Sequence, residues 1–385
     1  MQINDIPLGL YVHIPWCVQK CPYCDFNSHN LKGEIPSKEY VAHLLDDLSA
    51  DLKTISYRGN IREVSSIFIG GGTPSLLPVE DMRTLIAGIK RRLPVAANAE
   101  ITMEANPGTV EADKFKGFYQ AGVNRISVGV QSFSEKHLDL LGRIHDSQQA
   151  FRAVELAGTI GLSSYNLDLM HGLPQQDLNL ALHDLKTAIR LQPPHLSWYQ
   201  LTIEPNTSFA SRPPTLPDDD VLWDIQEQGH ALLSQAGYHQ YEISGYSKPE
   251  HQCQHNLNYW RYGDYLGIGC GAHGKITNLH TGEINRSVKI KHPKGYMDLS
   301  KPYLNQMTTV DKADLTFEFF MNRFRLVEAC PKDDFERLTY STLGQQDTQT
   351  ISKAIQQGLI TETPTTWQVT ELGRRYLNSL LDSFV

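Results

Sequence analysis

Leu10-Tyr11-Val12-His13-Ile14-Pro15-Trp16-Cys17 runs straight into Val18-Gln19-Lys20-Cys21-Pro22-Tyr23-Cys24. A β-type run, Leu8–Ile14, thus ends at a loop carrying three thiols spaced Cys-x3-Cys-x2-Cys. Thiolates at such steps wrap a metal from a single loop. The 385 residues contain six cysteines, three of them inside these eight positions. Six are far too few for a disulfide scaffold, and clustered thiols in a reducing compartment read as metal or redox groups. A zinc site wants a fourth ligand. His13, Asp25 and His29 are near, but no second Cys-x2-Cys pair stands at zinc-ribbon distance. Three thiolates on an iron–sulfur cube instead leave one iron open to a small molecule, a reactive arrangement.

Working outward, five more β-type runs follow: Ser65–Gly70, Glu100–Asn106, Arg125–Val130, Ser164–Met170 and Leu196–Ile203. Helix-type patterns separate them, at 37–53, 79–92, 110–121, 147–160, 176–191 and 218–236. In the first, Leu44, Leu45, Leu48 and Leu52 step by three and four, and Ser37 is the expected N-cap. Strand alternating with helix argues for a parallel sheet, either wound or closed into a partial barrel. Polar or glycine-rich features recur just where these strands end: the three thiols, Gly70-Gly71-Gly72-Thr73-Pro74, Glu104, Gln131, Asp168 and His171-Gly172. C-terminal strand ends of a parallel barrel share one face, so these features predict one large site.

Beyond residue 240 the pattern changes. Tyr259, Trp260, Tyr262 and Tyr265 crowd together, and from 350 onward helix, hairpin and helix (351–357, 359–369, 371–381) read as a winged-helix-like element. The expected organisation is a barrel over 1–210, a linking region over 211–300 and a helical, winged-helix-like unit over 301–385. Composition narrows the function. Lys and Arg total 35 against 43 Asp and Glu, a net charge of −8, which argues against a nucleic-acid partner. No run reaches ~18 apolar residues, and the N-terminus lacks the basic and apolar regions of a signal peptide. A cytoplasmic protein is expected, meeting membranes only through partners.

The thiol triad with Gly-Gly-Gly-Thr-Pro after the second strand resembles the radical S-adenosylmethionine (SAM) enzymes. Leu10–Cys17, Gly129-Val130-Gln131-Ser132-Phe133 and His171-Gly172-Leu173-Pro174, in that order, make the chain similar to the oxygen-independent coproporphyrinogen III oxidase family along nearly its whole length. The resemblance implies a partial (β/α)6 barrel with a 4Fe–4S cluster on Cys17, Cys21 and Cys24. SAM chelates the open iron and is cleaved, in the family, to methionine and a 5′-deoxyadenosyl radical. Gly71, Gly72 and Thr73 correspond to the segment holding the SAM amino group, and Tyr23 to the aromatic near the adenine. Tyr11, Glu104, Gln131, Arg143 and Asp168 match further SAM-site positions.

The family has an oxidase branch and a heme-chaperone branch. The oxidase motif continues as Cys-x2-Cys-x-Cys, whereas this chain has Phe26 at the last position. The oxidase lead-in is longer than the sixteen residues before Cys17. His255-Asn256-Leu257-Asn258-Tyr259-Trp260 matches the chaperone motif His-Asn-x-x-Tyr-Trp. All three features favour the chaperone branch. The resemblance therefore implies heme bound through His255, with Arg261 or Lys248 available to the propionates, and transfer to respiratory hemoproteins, membrane-bound ones included. Cys253, Cys270 and Cys330 are rival axial ligands, and His251, Cys253, His255 and His273 an alternative metal group. A homodimer is expected. Whether SAM is cleaved in function stays open.

Overall fold

The computed structural model describes residues 6–56, 62–109 and 112–385. The extreme N-terminus and the predicted helix start at Val110 and Glu111 lie outside them. Six strands form in the predicted order: β1 (Leu8–Ile14), β2 (Val64–Gly71), β3 (Val95–Ala105), β4 (Arg125–Gln131), β5 (Ser164–His171) and β6 (His195–Gln200). They lie side by side in sequence order, all parallel. An order without reversal is the winding of a barrel, not of a doubly wound sheet. The barrel is partial. On the far side of β1 stands a seventh parallel strand, β7 (Asp264–Ile268), and three antiparallel strands, β8 (His273–Thr277), β9 (Ile284–Lys289) and β10 (Leu304–Thr309), extend that edge.

Alternation along each strand sorts the side chains. One set faces the surrounding helices: Leu10, Val12 and Ile14, then Ile67 and Ile69, Met103, Val128, Leu167 and Leu169, and Leu196, all within the main hydrophobic core. The opposite set is polar, including Ser66, Glu104, Arg125, Ser127, Asn166, Asp168 and His195, and it lines the barrel interior. Helix α1 (Ser37–Ser56) buries Tyr40, Leu44 and Leu48 on one stripe of that core. The helix already includes Ser37, whose hydroxyl donates to Asp81 Oδ2 at 2.5 Å rather than capping the first turn. Helix α2 (Val79–Arg92) has acids in its first turn and Lys90, Arg91 and Arg92 in its last, matching the helix dipole. Helix α3 (Ser147–Thr159) opens on a capping box, with Asp146 accepting from Gln149 N and Gln149 Oε1 from Asp146 N.

Residues 211–300 divide between the two sides of the barrel. Helix α4 (Asp219–Gln235) packs Ile225 and Leu233 into the main core, and β7–β9 continue the sheet. A second core gathers Phe319, Phe320, Phe324, Phe335, Trp367 and Leu380 under the C-terminal elements. There the hairpin Ile360–Glu362 and Thr366–Val369 forms, with Cys330–Pro331 added as a third strand. The predicted final helix 371–381 is broken. Glu371–Arg375 and Leu377–Asp382 are separate short helices that meet at Tyr376. No helix among the described residues is long and apolar enough to cross a membrane.

Candidate functional site

The loop after β1 is pinned by its own backbone. Trp16–Cys17 pairs with His29–Asn30 as two short parallel strands, and Leu31 N donates to Cys17 O at 2.8 Å. Lys20 N donates to Asn30 Oδ1 at 2.7 Å. Cys17, Cys21 and Cys24 are partly exposed and line a cavity of about 330 Å³ at the C-terminal end of the barrel. Burial pushes the Cys17 and Cys24 thiols up, opposed by the Thr73 hydroxyl at Cys17 and the Ser28 hydroxyl at Cys24. Arg143 Nη1 stands 3.5 Å from Cys21 Sγ, and its Nη2 donates to Gly129 O at 2.7 Å.

The glycines work by close approach. A Cβ at Gly72 would sit 2.5 Å from Trp16 O, and Gly71 has a φ of +112°. Gly71 N donates to Glu104 Oε2 at 3.0 Å. Burial, reinforced by Asp168, raises the Glu104 carboxyl to about 7. Asp168 is likewise raised by burial, against donation from Ser127 and Asn166. Gln131 adopts a φ of +68°, a costly conformation for a non-glycine residue, and accepts from Tyr199 Oη at 2.9 Å.

The structure thus brings Cys17, Cys21, Cys24, Tyr23, Gly71, Gly72, Thr73, Glu104, Gln131, Arg143 and Asp168 to one cavity wall. It does not bring Tyr11 there. Tyr11 points into the barrel one layer below, donates to or accepts from His13 Nδ1 at 2.9 Å and stacks on Phe68. Ser127, Ser197 and Tyr199 also line the cavity and are not among the residues the sequence singles out. Their signal is alternation: Ser127 shares a strand face with Gly129, and Ser197 with Tyr199.

The three thiols share that wall. Among the described residues no three His, Cys, Asp or Glu side chains are gathered as for a single metal ion, the 251/253/255/273 group included. A cube of iron and sulfur is wider than one ion and takes three thiolates from one loop. Glu104, a buried carboxylate with one backbone donor and no cation partner among the described residues, suits an ammonium group. The wall fits a cluster with an amino-acid-bearing ligand.

His255 lies at the other end of the barrel. It sits on a short helix, α5 (Gln254–Trp260), beneath the N-terminal strand ends, and is 2% exposed. Its Nδ1 is 2.9 Å from Ser66 Oγ, and its ring packs on Phe68 and Tyr259. Nε2 is buried with no hydrogen-bond partner. Burial, then Arg125, lowers its pKa to about 3, so the imidazole is neutral. Arg261 is not free for an anion, since Glu328 holds it at 2.9 and 2.6 Å. Burial pushes Cys253, Cys270 and Cys330 up to about 12, so these rival ligands stay as thiols.

Comparison with known proteins shows the family and the fold. The Radical SAM superfamily model matches residues 11–185, and the HemN C-terminal domain model residues 310–376. The heme chaperone HemW of Escherichia coli (strain K12) is 62% identical over 98% of both chains. The chain belongs to the HemW family. HemW of Bacillus subtilis (strain 168) is 33% identical over 97% of this chain and 98% of its own. The solved structure of the Escherichia coli coproporphyrinogen III oxidase HemN superposes with a TM-score of 0.82 over 99% of this chain and 90% of that one. At 23% identity that likeness establishes the fold. Radical SAM membership brings a 4Fe–4S cluster and SAM as the cofactors of this HemW-family chain.

Proposed function

We propose that this chain binds heme and delivers it to hemoproteins, with a SAM-binding 4Fe–4S cluster at the barrel mouth governing the transfer. The observation that carries the reading is the unpartnered, neutral Nε2 of His255 within the His-Asn-x-x-Tyr-Trp motif. Neutral imidazole is a good heme-iron ligand, and a partner on the second ring nitrogen fixes its tautomer. Ser66 supplies that partner. For iron to reach Nε2, helix α5 must lift from the barrel floor. Glu100 is the latch, accepting from Cys253 Sγ at 3.4 Å and from Gln254 N and His255 N at 3.2 Å each.

At the mouth, Cys17, Cys21 and Cys24 hold the cluster. Glu104 and the Gly71–Thr73 backbone take the SAM ammonium, Arg143 its carboxylate, and Tyr23 packs beside the adenine. Gln131 and Asp168 complete the polar wall. A reduced cluster held there would supply one-electron chemistry to SAM. The recipients in this reading are respiratory hemoproteins, membrane-bound ones included, and the carrier is a homodimer.

Anaerobic heme titration of the reconstituted protein tests the reading. Wild type gives a Soret band that His255→Gln weakens at least tenfold; identical spectra and affinities would sink His255 as the ligand. Stoichiometric protoporphyrinogen from coproporphyrinogen III under the same conditions would replace the chaperone reading with the oxidase one.

A further inference from the structure

A groove of about 810 Å³ separates helix α4 of the barrel from the C-terminal helices. Its size is that of a ligand site, and domain junctions commonly host such sites. Trp223 is 37% exposed and Tyr376 57% exposed on its walls, and Ile243 adds an aliphatic side chain. The helix break at Tyr376, which the sequence pattern did not announce, is what presents that ring to the groove. Large aromatic surface left open to solvent marks a binding surface more often than a structural one.

The rest of the lining is mostly polar and includes the carboxylates of Glu227 and Glu371; three of its nitrogen-bearing groups carry the argument. His230 lines the groove and makes no hydrogen bond among the described residues. Trp198 and Tyr246 hold its ring from behind, at centroid distances of 6.1 and 5.6 Å. Burial, then Arg374, lowers its pKa, against Glu227 and Glu371, so the ring is neutral near pH 7. Arg374 has no carboxylate within ion-pair distance among the described residues, and its one bond is from Nη1 to Val369 O at 3.2 Å. Arg375 lies over the Trp223 ring at 4.2 Å and donates to Glu227 at 2.7 Å, an exposed pair that is readily exchanged.

Aromatic walls, a neutral imidazole and an unpaired guanidinium match one kind of molecule: a planar, apolar macrocycle with a metal at its centre and carboxylates on its edge. We propose that this groove is a second, more open heme site, with His230 as iron ligand and Arg374 on a propionate, where heme is taken up or released. The proposal rests on the heme-carrier reading and adds a place where heme is accessible to a partner, which the buried His255 is not. Arg375 joins Arg374 when a propionate replaces Glu227.

The test compares heme with iron-free protoporphyrin IX on the full-length protein. Wild type should titrate with heme in a tight and a weaker phase. His230→Ala should remove the weaker phase for heme while leaving protoporphyrin IX affinity within about twofold, because only heme uses the imidazole. Arg374→Ala should weaken both ligands by about tenfold, a charge-assisted bond's worth, with Arg374→Lys recovering most of it. A heme titration unchanged by both His230→Ala and Arg374→Ala overturns the groove site. If His255→Gln abolishes binding in that same series, the carrier reading stands without it. Wild type that binds no heme overturns both.

Discussion

The two ends of the barrel hold their key residues in opposite ways. At the mouth, the three thiols lie partly exposed on a pinned loop, and Glu104 and Asp168 are buried carboxyls raised by desolvation. That end is electrostatically unfinished and gains by binding a cationic, metal-bearing group. At the floor, His255 is sealed by Phe68, Tyr259 and Ser66, and Glu100 fastens the helix that carries it. That end is packed, and in the proposed reading it opens to take heme. Ligand chemistry is legible where donors share one cavity wall and obscure where a candidate ligand is sealed in packing.

The largest break in the comparison comes from the thiols. Cys21→Ala should lose essentially all cluster iron, sulfide and visible absorbance after anaerobic reconstitution, because two thiolates do not hold a cube. Heme binding at the floor should survive with its Soret position unchanged. Retained iron and sulfide would remove Cys21 from the ligand set.

The next effect is on stability, and it is confined to the floor. His255→Ala should cost about 3 kcal/mol in urea unfolding, because it empties a ring-sized space against Phe68 and Tyr259 and strands the Ser66 hydroxyl. His255→Gln should cost about 1 kcal/mol, since an amide refills much of that space. If both variants unfold with the wild type, the floor is not packed as described, and the contrast between the ends fails.

Glu104 sharpens the mouth. Its folded pKa of about 7 lies above the ordinary carboxyl value of 4.5. The unfolded chain therefore gives up its proton first, and folding stability falls as pH rises from about 4.5 to 7. SAM affinity should move the other way, rising between pH 6 and 8 as the carboxylate forms and meets the ammonium. Glu104→Gln should bind SAM about tenfold more weakly at pH 8, the loss of one charge-assisted bond, and show little slope with pH. A wild-type affinity that is flat across pH 6–8 would mean that Glu104 does not face the ammonium.

The same contrast explains what the sequence revealed. Strands β1–β6 could be read because their outer residues are apolar, and the mouth because strand ends deliver their residues to one face whatever the barrel's finer shape. Ser127, Ser197 and Tyr199 were missed because a polar residue inside a strand is noticed only when the barrel interior is known to be polar. Tyr11 is near the thiols in sequence, but its strand carries it one layer down, beneath Glu104. The position of His255 was not legible at all. It depends on Glu100, 155 residues away, holding a seven-residue helix under the barrel. Long-range polar contacts of that kind leave no local pattern.

The smallest effect concerns Phe26, one of the three features by which the sequence resembles the chaperone branch. Phe26 stands at the rim of the mouth with 59% of its surface exposed. Its structural contribution is through the backbone: Phe26 O accepts from Ser28 N at 2.7 Å and from Lys20 Nζ at 2.9 Å. Phe26→Cys keeps both bonds and removes only a solvated ring, so stability should change by less than about 0.5 kcal/mol. A thiol on that exposed rim adds no fourth wall to the cavity, so the cluster should keep one open iron, with unchanged iron content and SAM affinity. Porphyrinogen decarboxylation should not appear, because one surface cysteine does not build a substrate site. If the variant did turn over coproporphyrinogen III, the division between carrier and oxidase would rest on this single position, and the floor would lose its claim as the feature that sets the function.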